Sequence, residues 1–145
     1  MTMEELFEMW KVDGKIDPAN LGTESIRVPE LHNKYFILYA KSGLKVKKLK
    51  SDLLELENAK TEYYSGAMDI EEVKQRGWEP MRNRIIRQDV PRHVEADKDI
   101  IRLSLTIAYH DSMTKYLEDI VKQINNRNFY IKNAIEFAKF QSGGH

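Results

Sequence analysis

The sequence predicts an all-α protein, a helical bundle whose long C-terminal helix mediates self-assembly. Apolar residues recur at alternating spacings of three and four along several stretches of the 145-residue chain, as they do on one face of an α-helix. No stretch has the strict apolar–polar alternation of a half-buried strand. Glycine and proline stand between the periodic stretches, where helices begin and end.

The N-terminal part is predicted to contain a short helix followed by a longer one. Apolar residues favour an amphipathic helix from Met3 to Val12, ended by Gly14. Pro29 fits the first turn of the next helix, because its missing N–H would have no partner there. The Ser42-Gly43 pair is expected to interrupt or end this second helix.

A third helix is predicted from Leu44 to Tyr64, where apolar residues again lie three and four apart. Gly66 is expected to close it, since glycine readily adopts the left-handed conformation at a helix C-terminus. The following segment, 67–95, has no clear period apart from a helical turn over Asp69 to Gln75. A segment of this length without regular structure often carries function.

The stretch from Asp97 to Phe140 has the longest regular pattern, with Asp97 as a suitable N-cap. Its apolar residues form a coiled-coil-like seam, and flanking apolar residues make it wider than one partner helix covers. We therefore expect other copies of the chain to cover this surface. The alternative is that the stretch is the core helix of a monomeric bundle. The sequence does not decide whether the helix is broken near Asn125 to Asn128. The oligomer contact is assigned to Ile100, Leu103, Ile107, His110, Leu117, Val121, Ile124, Ile131 and Ile135.

Composition narrows the functional class. The 23 basic and 23 acidic residues cancel, so a nucleic-acid surface requires local segregation of charge. The absence of cysteine excludes disulfides and thiolate zinc sites. The acidic N-terminus is unlike a secretory signal, and no apolar run reaches the ~20 residues that span a bilayer. We expect a cytoplasmic protein without a membrane partner, with a docking arm (1–22), a central helical region (23–95) and an oligomerisation region (96–145).

Two local surpluses of positive charge favour a single-stranded nucleic acid as ligand. The first is the lysine cluster of the third helix, and the second is an arginine-rich segment between Lys74 and Arg92. Tyr63, Tyr64 and Trp78 lie near them in sequence, and a basic groove beside aromatic rings suits single-strand binding. The alternative is a solvated lysine face with Tyr63 in the core. The candidate cations are Lys45, Lys47, Lys48, Lys50, Arg82, Arg84 and Arg87. The helical region 23–95, with its basic loop, is therefore the expected DNA-binding region.

No arrangement of residues points to an enzyme. A glycine-rich phosphate loop is absent, and no two of the four histidines have the i, i+4 spacing of a helical metal site. His110 faces the seam, where a polar residue more often fixes register than performs chemistry. We predict no catalytic residue, metal or cofactor.

The segment Ala59 to Gly66, AKTEYYSG, resembles the basic-acidic-Tyr-Tyr-Ser-Gly segment of the UvsY family of recombination mediators from T-even-type phages. Further stretches resemble the same family in the same order. They are Ala96 to Ile100, Leu103 to Leu117, Arg127 to Lys132 and Phe137 to Gly143.

The resemblance implies a non-enzymatic protein that forms ring-like hexamers or heptamers in the cytoplasm of an infected bacterium. It implies binding of single-stranded DNA and help for a phage RecA-like recombinase in replacing the phage single-strand-binding protein. Basic residues just before the Tyr-Tyr-Ser-Gly stretch contribute to DNA binding in the family; Lys60 keeps one such position, whereas Asn58 stands at the other. The C-terminal helix is the family's assembly element. The competing interpretation is a helical adaptor that assembles in the same way and binds only protein.

Overall fold

The computed structural model describes residues 1–143 and confirms the all-α class, with six α-helices, one 3₁₀ turn at Arg87–Asp89 and no strand in that range. Gly144 and His145, the end of the predicted oligomerisation region, lie outside the described residues. No helix of the described chain is long and apolar enough to cross a membrane. The helices are α1 (Met3–Asp13), α2 (Leu21–Ser65), α3 (Ile70–Gln75), α4 (Val90–Glu95), α5 (Lys98–Asn125) and α6 (Arg127–Gln141).

Helix α1 matches its prediction within a residue. Thr2 begins it with a reciprocal capping box: the Thr2 hydroxyl accepts from the Glu5 N–H at 3.1 Å, and the Glu5 carboxylate accepts from the Thr2 N–H at 3.0 Å. Two N–H groups that a helix start leaves unpaired are thereby satisfied. At the other end, a Cβ on Gly14 would lie 2.7 Å from the Trp10 carbonyl oxygen, so this close approach requires glycine.

Helix α2 is one continuous helix of 45 residues, where the sequence predicted two. Pro29 lies inside it and not in a first turn, and the helix runs through Ser42 and Gly43 without a break. Both predictions were wrong because packing overrides local propensity. Tyr35 and Leu31 are buried just after the proline, and the Ser42 hydroxyl is hydrogen-bonded to the Thr114 hydroxyl at 2.6 Å.

The predicted end of this helix is confirmed, since α2 ends at Ser65 and Gly66 has the positive φ of 80° expected of a left-handed cap. The predicted helical turn after it is α3. Helix α4 was not predicted. Pro91 stands in its first turn, where a proline leaves no hydrogen bond unmade.

Asp97 caps α5 as predicted: one carboxylate oxygen accepts from the N–H groups of Asp99 at 2.8 Å and Ile100 at 3.2 Å. The long C-terminal pattern is divided between two helices. Helix α5 ends at Asn125 and α6 begins at Arg127. The break that the sequence left open therefore lies at Asn126.

The chain forms two compact units, Met1–Gly43 with Ser112–His145 and Leu44–Asp111. In the first unit, α1, the start of α2 and the end of α5 enclose one apolar cluster. Its members are Leu6, Leu31, Tyr35, Met113, Leu117, Ile120 and Ile124.

The second unit has two smaller clusters. One joins the end of α2 to α3 through Ala59, Met68 and Val73, with Tyr63 and Trp78 packed against it. The other joins α4 to the start of α5 through Val90, Val94 and Ile100, with Leu53, Leu56, Tyr64 and Ile85 beside it.

Most of the seam assigned to oligomer contact is buried by the protomer itself. Leu117 and Ile124 belong to the first unit's core, Ile100 to the second, and Ile107 and Ile131 are also buried. Leu103, His110 and Val121 are half-buried, and Ile135 is exposed. Exposed apolar side chains lie beside the seam on both helices. They are Ile101, Leu105 and Tyr109 of α5 and the aromatic residues Phe129, Tyr130, Phe137 and Phe140 of α6.

Candidate nucleic-acid interface

Three positive charges of the second unit lie close together in sequence between α3 and α4, in the segment 82–87, here called the arginine segment. Arg82, Arg84 and Arg87 are exposed. Within residues 1–143 none of the three makes an ion pair or a side-chain hydrogen bond. Guanidinium groups without an internal partner are free to bind phosphate oxygens in a bidentate manner.

Two adjoining grooves run along the arginine segment. One, of about 570 Å³, lies between Arg84, Arg87 and the end of α2 at Ser65. The other, of about 440 Å³, lies between Arg82, Arg84 and the same end of α2. Volumes of this order accommodate a small ligand, so the segment offers recessed surface beside its guanidinium groups.

The segment is anchored by contacts just before its first arginine and at its middle. On its N-terminal side, the Tyr63 hydroxyl donates a hydrogen bond to the carbonyl of Glu79, and the Trp78 ring packs against Tyr63 at 5.2 Å. Within the segment, Ile85 packs against the cluster of Val90, Val94 and Ile100. The arginine side chains therefore project from a backbone that apolar contacts fix.

The lysine cluster of α2 is exposed, which both DNA binding and a solvated face allow. Lys45, Lys47, Lys48 and Lys50 all lie in solvent, whereas Val46 between them is buried. A helix turns by about 100° per residue, so the four ammonium groups spread around the solvent side and do not form one stripe. Asp52 forms an ion pair with Lys48 at 2.5 Å and raises the pKa of Lys48. The negative charge of Asp52 therefore offsets part of the positive charge of the cluster.

Lys60 is placed differently from these cations, since only 4% of its side chain is exposed. Its ammonium group contacts Asp97 at 3.0 Å and Asp99 at 2.9 Å, and lies 3.8 Å from the centre of the Trp78 ring. A charge of this kind is stable inside a protein only when it is paired. The prediction that Lys60 binds DNA directly stays a prediction; in the free protomer its charge is directed inward.

Asp97 is the centre of this buried network. Its second carboxylate oxygen accepts from the Tyr64 hydroxyl at 2.6 Å and from Lys60. Burial would raise the pKa of Asp97, but the hydrogen bonds from Tyr64 and Lys60 outweigh it and hold the pKa below the ordinary value. In turn, burial and the Asp97 carboxylate raise the pKa of Tyr64. The sequence predicts Asp97 as a helix cap, and no local pattern predicts its contacts with Lys60 and Tyr64.

The two predicted stacking rings are engaged inside the protomer. Tyr63 and Tyr64 are half-buried and pack edge-on against each other at 5.0 Å, and both hydroxyls donate internally as described above. Their stacking on bases stays a prediction. Asn58 stands where the family resemblance implies a second basic residue. It is exposed on α2 and is uncharged.

The chain is similar to known proteins over nearly its whole length. Residues 9–144 match the family model described as recombination, repair and ssDNA binding protein UvsY. A curated relative, the recombination protein uvsY of Enterobacteria phage T4, is 22% identical over 143 residues. The aligned region covers 99% of this chain and 99% of the relative.

Crystal structures of the bacteriophage T4 recombination mediator protein UvsY share the fold. The lattice type IV structure has a TM-score of 0.82 at 22% identity and covers 97% of this chain and 99% of its own. The lattice type II structure has a TM-score of 0.81 at 22% identity and covers 98% of each chain. With the family model matching more than nine-tenths of its length, the chain belongs to the UvsY family of recombination, repair and single-stranded DNA binding proteins.

Proposed function

We propose that this protein is a recombination mediator that binds single-stranded DNA mainly through the arginine segment. The observation that carries the proposal is the set of three exposed arginines without internal partners, Arg82, Arg84 and Arg87, beside two grooves. Family membership supports the choice of single-stranded DNA as the ligand. The exposed lysines of α2 supply additional positive charge to the second unit.

We further propose that copies of the chain assemble through the aromatic face of α6. A helix turns by about 100° per residue, which places four aromatic residues within roughly a third of its circumference. They are Phe129, Tyr130, Phe137 and Phe140, and their exposed fractions range from 51% to 79%. A contiguous apolar face of this kind marks an interaction site in a soluble protein. A closed assembly of six or seven protomers, as the resemblance implies, would bring several arginine segments to one strand.

The mechanism follows from multivalency. Each protomer contributes a weak site, and the second and later contacts are effectively intramolecular, so the assembly binds a strand more tightly than one protomer does. Holding the strand across several protomers would loosen a resident single-strand-binding protein and present the strand to a RecA-like recombinase. No step of this proposal requires catalysis, and the place of action is the cytoplasm of the infected host.

The binding function is tested by titrating the protein against a fluorescently labelled oligonucleotide over a range of salt concentrations. We expect affinity to fall steeply as salt rises, because each phosphate contact releases counterions. A helical adaptor that binds only protein would give no binding at low salt, and that result would exclude the proposal.

The assembly is tested separately by truncating the chain after Asn126, which removes α6. We expect light scattering to report a smaller oligomer and the oligonucleotide affinity to fall with it, because avidity is lost. A matched control carries Lys122→Gln, a surface change on α5 that keeps α6. An intact assembly in the truncated chain would place the contact elsewhere.

A further inference from the structure

We propose that Lys60 is a positioning residue: it holds the arginine segment in its binding conformation and does not itself contact the DNA. The inference rests on the proposed function of the arginine segment, because it assigns a role within that site. It differs from the direct phosphate contact that the family resemblance implies for this position.

The ammonium group of Lys60 already has a full set of partners. Two carboxylates lie within 3.0 Å of it, from Asp97 and Asp99, and the Trp78 ring is 3.8 Å away. With 4% of the side chain exposed, a phosphate could reach this charge only by displacing the buried carboxylate of Asp97 or the partly exposed one of Asp99. Displacing Asp97 is unfavourable because it leaves a buried charge unpaired, and displacing Asp99 only exchanges one anion for another at a charge that is already paired.

The partners of Lys60 are close in sequence to the arginine segment. Trp78, which the ammonium group contacts, is followed by Glu79, whose carbonyl accepts from Tyr63. Tyr63 stands one turn after Lys60 on α2, and its ring also contacts Trp78 at 5.2 Å. One side of α2 thus holds the two residues that precede Pro80 and the arginines.

The carboxylate that pairs with Lys60 also holds the chain that follows the arginine segment, at α4 and the start of α5. Asp97 accepts from Lys60 with one oxygen and caps α5 with the other. Tyr64 joins the same carboxylate and packs beside His93 of α4 at 5.7 Å. Lys60 therefore connects the chain before the arginine segment, at Trp78, with the chain after it, at Asp97. Loss of the Lys60 charge is expected to release the backbone that leads from Trp78 into the segment.

The test is a double-mutant comparison in the full-length protein. Lys60→Met removes the charge and keeps the length of the side chain, and it is combined with a triple variant of the arginine segment, Arg82→Gln, Arg84→Gln and Arg87→Gln. For single strands the slope of log affinity against log salt changes by about 0.7 per phosphate contact. A residue that only positions the arginines has no effect once the arginines are gone.

In the wild-type background we expect Lys60→Met to lower the slope by up to ~2 per engaged protomer, because the three arginine–phosphate contacts depend on Lys60. In the triple variant, which lacks these contacts, we expect a change of about zero. A drop of about 0.7 in both backgrounds would identify Lys60 as a direct contact and overturn the proposal. An unchanged slope in the wild-type background would overturn it as well. Leu6→Ala, in the buried core of the first unit, is the control for general destabilisation and should leave the slope unchanged.

A second measurement needs no variant and applies even if Lys60→Met does not fold. Lysines are acetylated in the intact protein, with and without a saturating oligonucleotide, and quantified by mass spectrometry. Lys60 should react at least about tenfold more slowly than Lys47 in the free protein, because only local opening exposes it, and the oligonucleotide should not change its rate. Rapid modification that the oligonucleotide suppresses would overturn the proposal.

The two proposals fail in different ways. If the triple arginine variant binds with the affinity and salt slope of the wild type, the arginine segment is not the binding surface, whatever Lys60→Met does. If the triple variant has a lower affinity and salt slope than the wild type but Lys60→Met acts equally in both backgrounds, the arginine segment remains the binding surface and the positioning role is wrong.

Discussion

Replacing Arg127 with methionine tests the buried ion pair of the first unit. Arg127 is the first residue of α6, and its guanidinium group contacts the Glu24 carboxylate at 3.0 Å. It also donates to the backbone carbonyls of Gly14 at 3.2 Å and Lys15 at 2.8 Å, which follow α1. One side chain therefore joins the start of α6 to the connection between α1 and α2.

The expected loss follows from the burial of both charges. The side chains of Arg127 and Glu24 are 4% and 7% exposed, and removing one partner of such a pair destabilises a protein by about 3–5 kcal/mol. Glu24 keeps a hydrogen bond from Arg27 at 3.1 Å and one from the Asp17 N–H at 3.3 Å. This remaining compensation places Arg127→Met near the lower limit, at about 3 kcal/mol.

The assay is urea unfolding followed by circular dichroism at one fixed protomer concentration, because assembly contributes to apparent stability. Lys122→Gln is the matched control, since the Lys122–Glu118 pair is 3.7 Å apart and its side chains are 67% and 46% exposed; we expect a loss of about 0–1 kcal/mol. The double variant Arg127→Met with Glu24→Leu should recover much of the stability, since no charge is left buried. A loss of under about 1 kcal/mol for Arg127→Met would refute this reasoning.

Three further predictions concern stability. Gly43→Ala should stabilise the protein by about 1 kcal/mol, because Gly43 lies inside α2 and its added Cβ meets no atom within 4 Å; urea unfolding checks this, and a loss of stability would contradict it. Gly66→Ala should instead destabilise by about 1 kcal/mol, because the φ of 80° is unfavourable for alanine; an unchanged midpoint would contradict it. The pKa of Asp97 is lowered in the folded state from the ordinary 3.8, so its stabilising effect is complete above pH 3.8 and is lost as the pH falls through the lowered pKa. Asp97→Asn keeps a capping oxygen and should flatten the pH dependence of unfolding below about pH 4; equal acid sensitivity of variant and wild type would exclude this role.

The sequence was most informative where a local rule decides the structure. Asp97 as an N-cap, Gly66 as a left-handed C-cap and the end of α1 at Gly14 all depend on residues within one helical turn. Pro29 and Gly43 were misinterpreted because their unfavourable propensities are outweighed by contacts with distant parts of the chain. The Ser42–Thr114 hydrogen bond, for example, joins residues 72 positions apart.

The sequence indicated which charged residues belong to the candidate site, but it did not indicate how their side chains are arranged. The arginine segment and the lysine cluster were identified from local charge, and both are exposed. The environment of Lys60 was not predicted, because its carboxylate Asp99 lies 39 positions away and no local pattern brings them together. The heptad-like seam did not separate self-assembly from an intramolecular core, since both bury the same spacing of apolar residues.

The central proposal is that the arginine segment is the surface that binds single-stranded DNA. The decisive measurement compares the salt slope of oligonucleotide binding in the triple variant Arg82→Gln, Arg84→Gln, Arg87→Gln with that in a triple variant of equal charge, Lys11→Gln, Lys15→Gln, Lys122→Gln. We predict a slope lower by up to ~2 per engaged protomer in the arginine variant and a slope near wild type in the lysine variant. Equal slopes in the two variants would contradict the account, because binding would then depend on net charge alone.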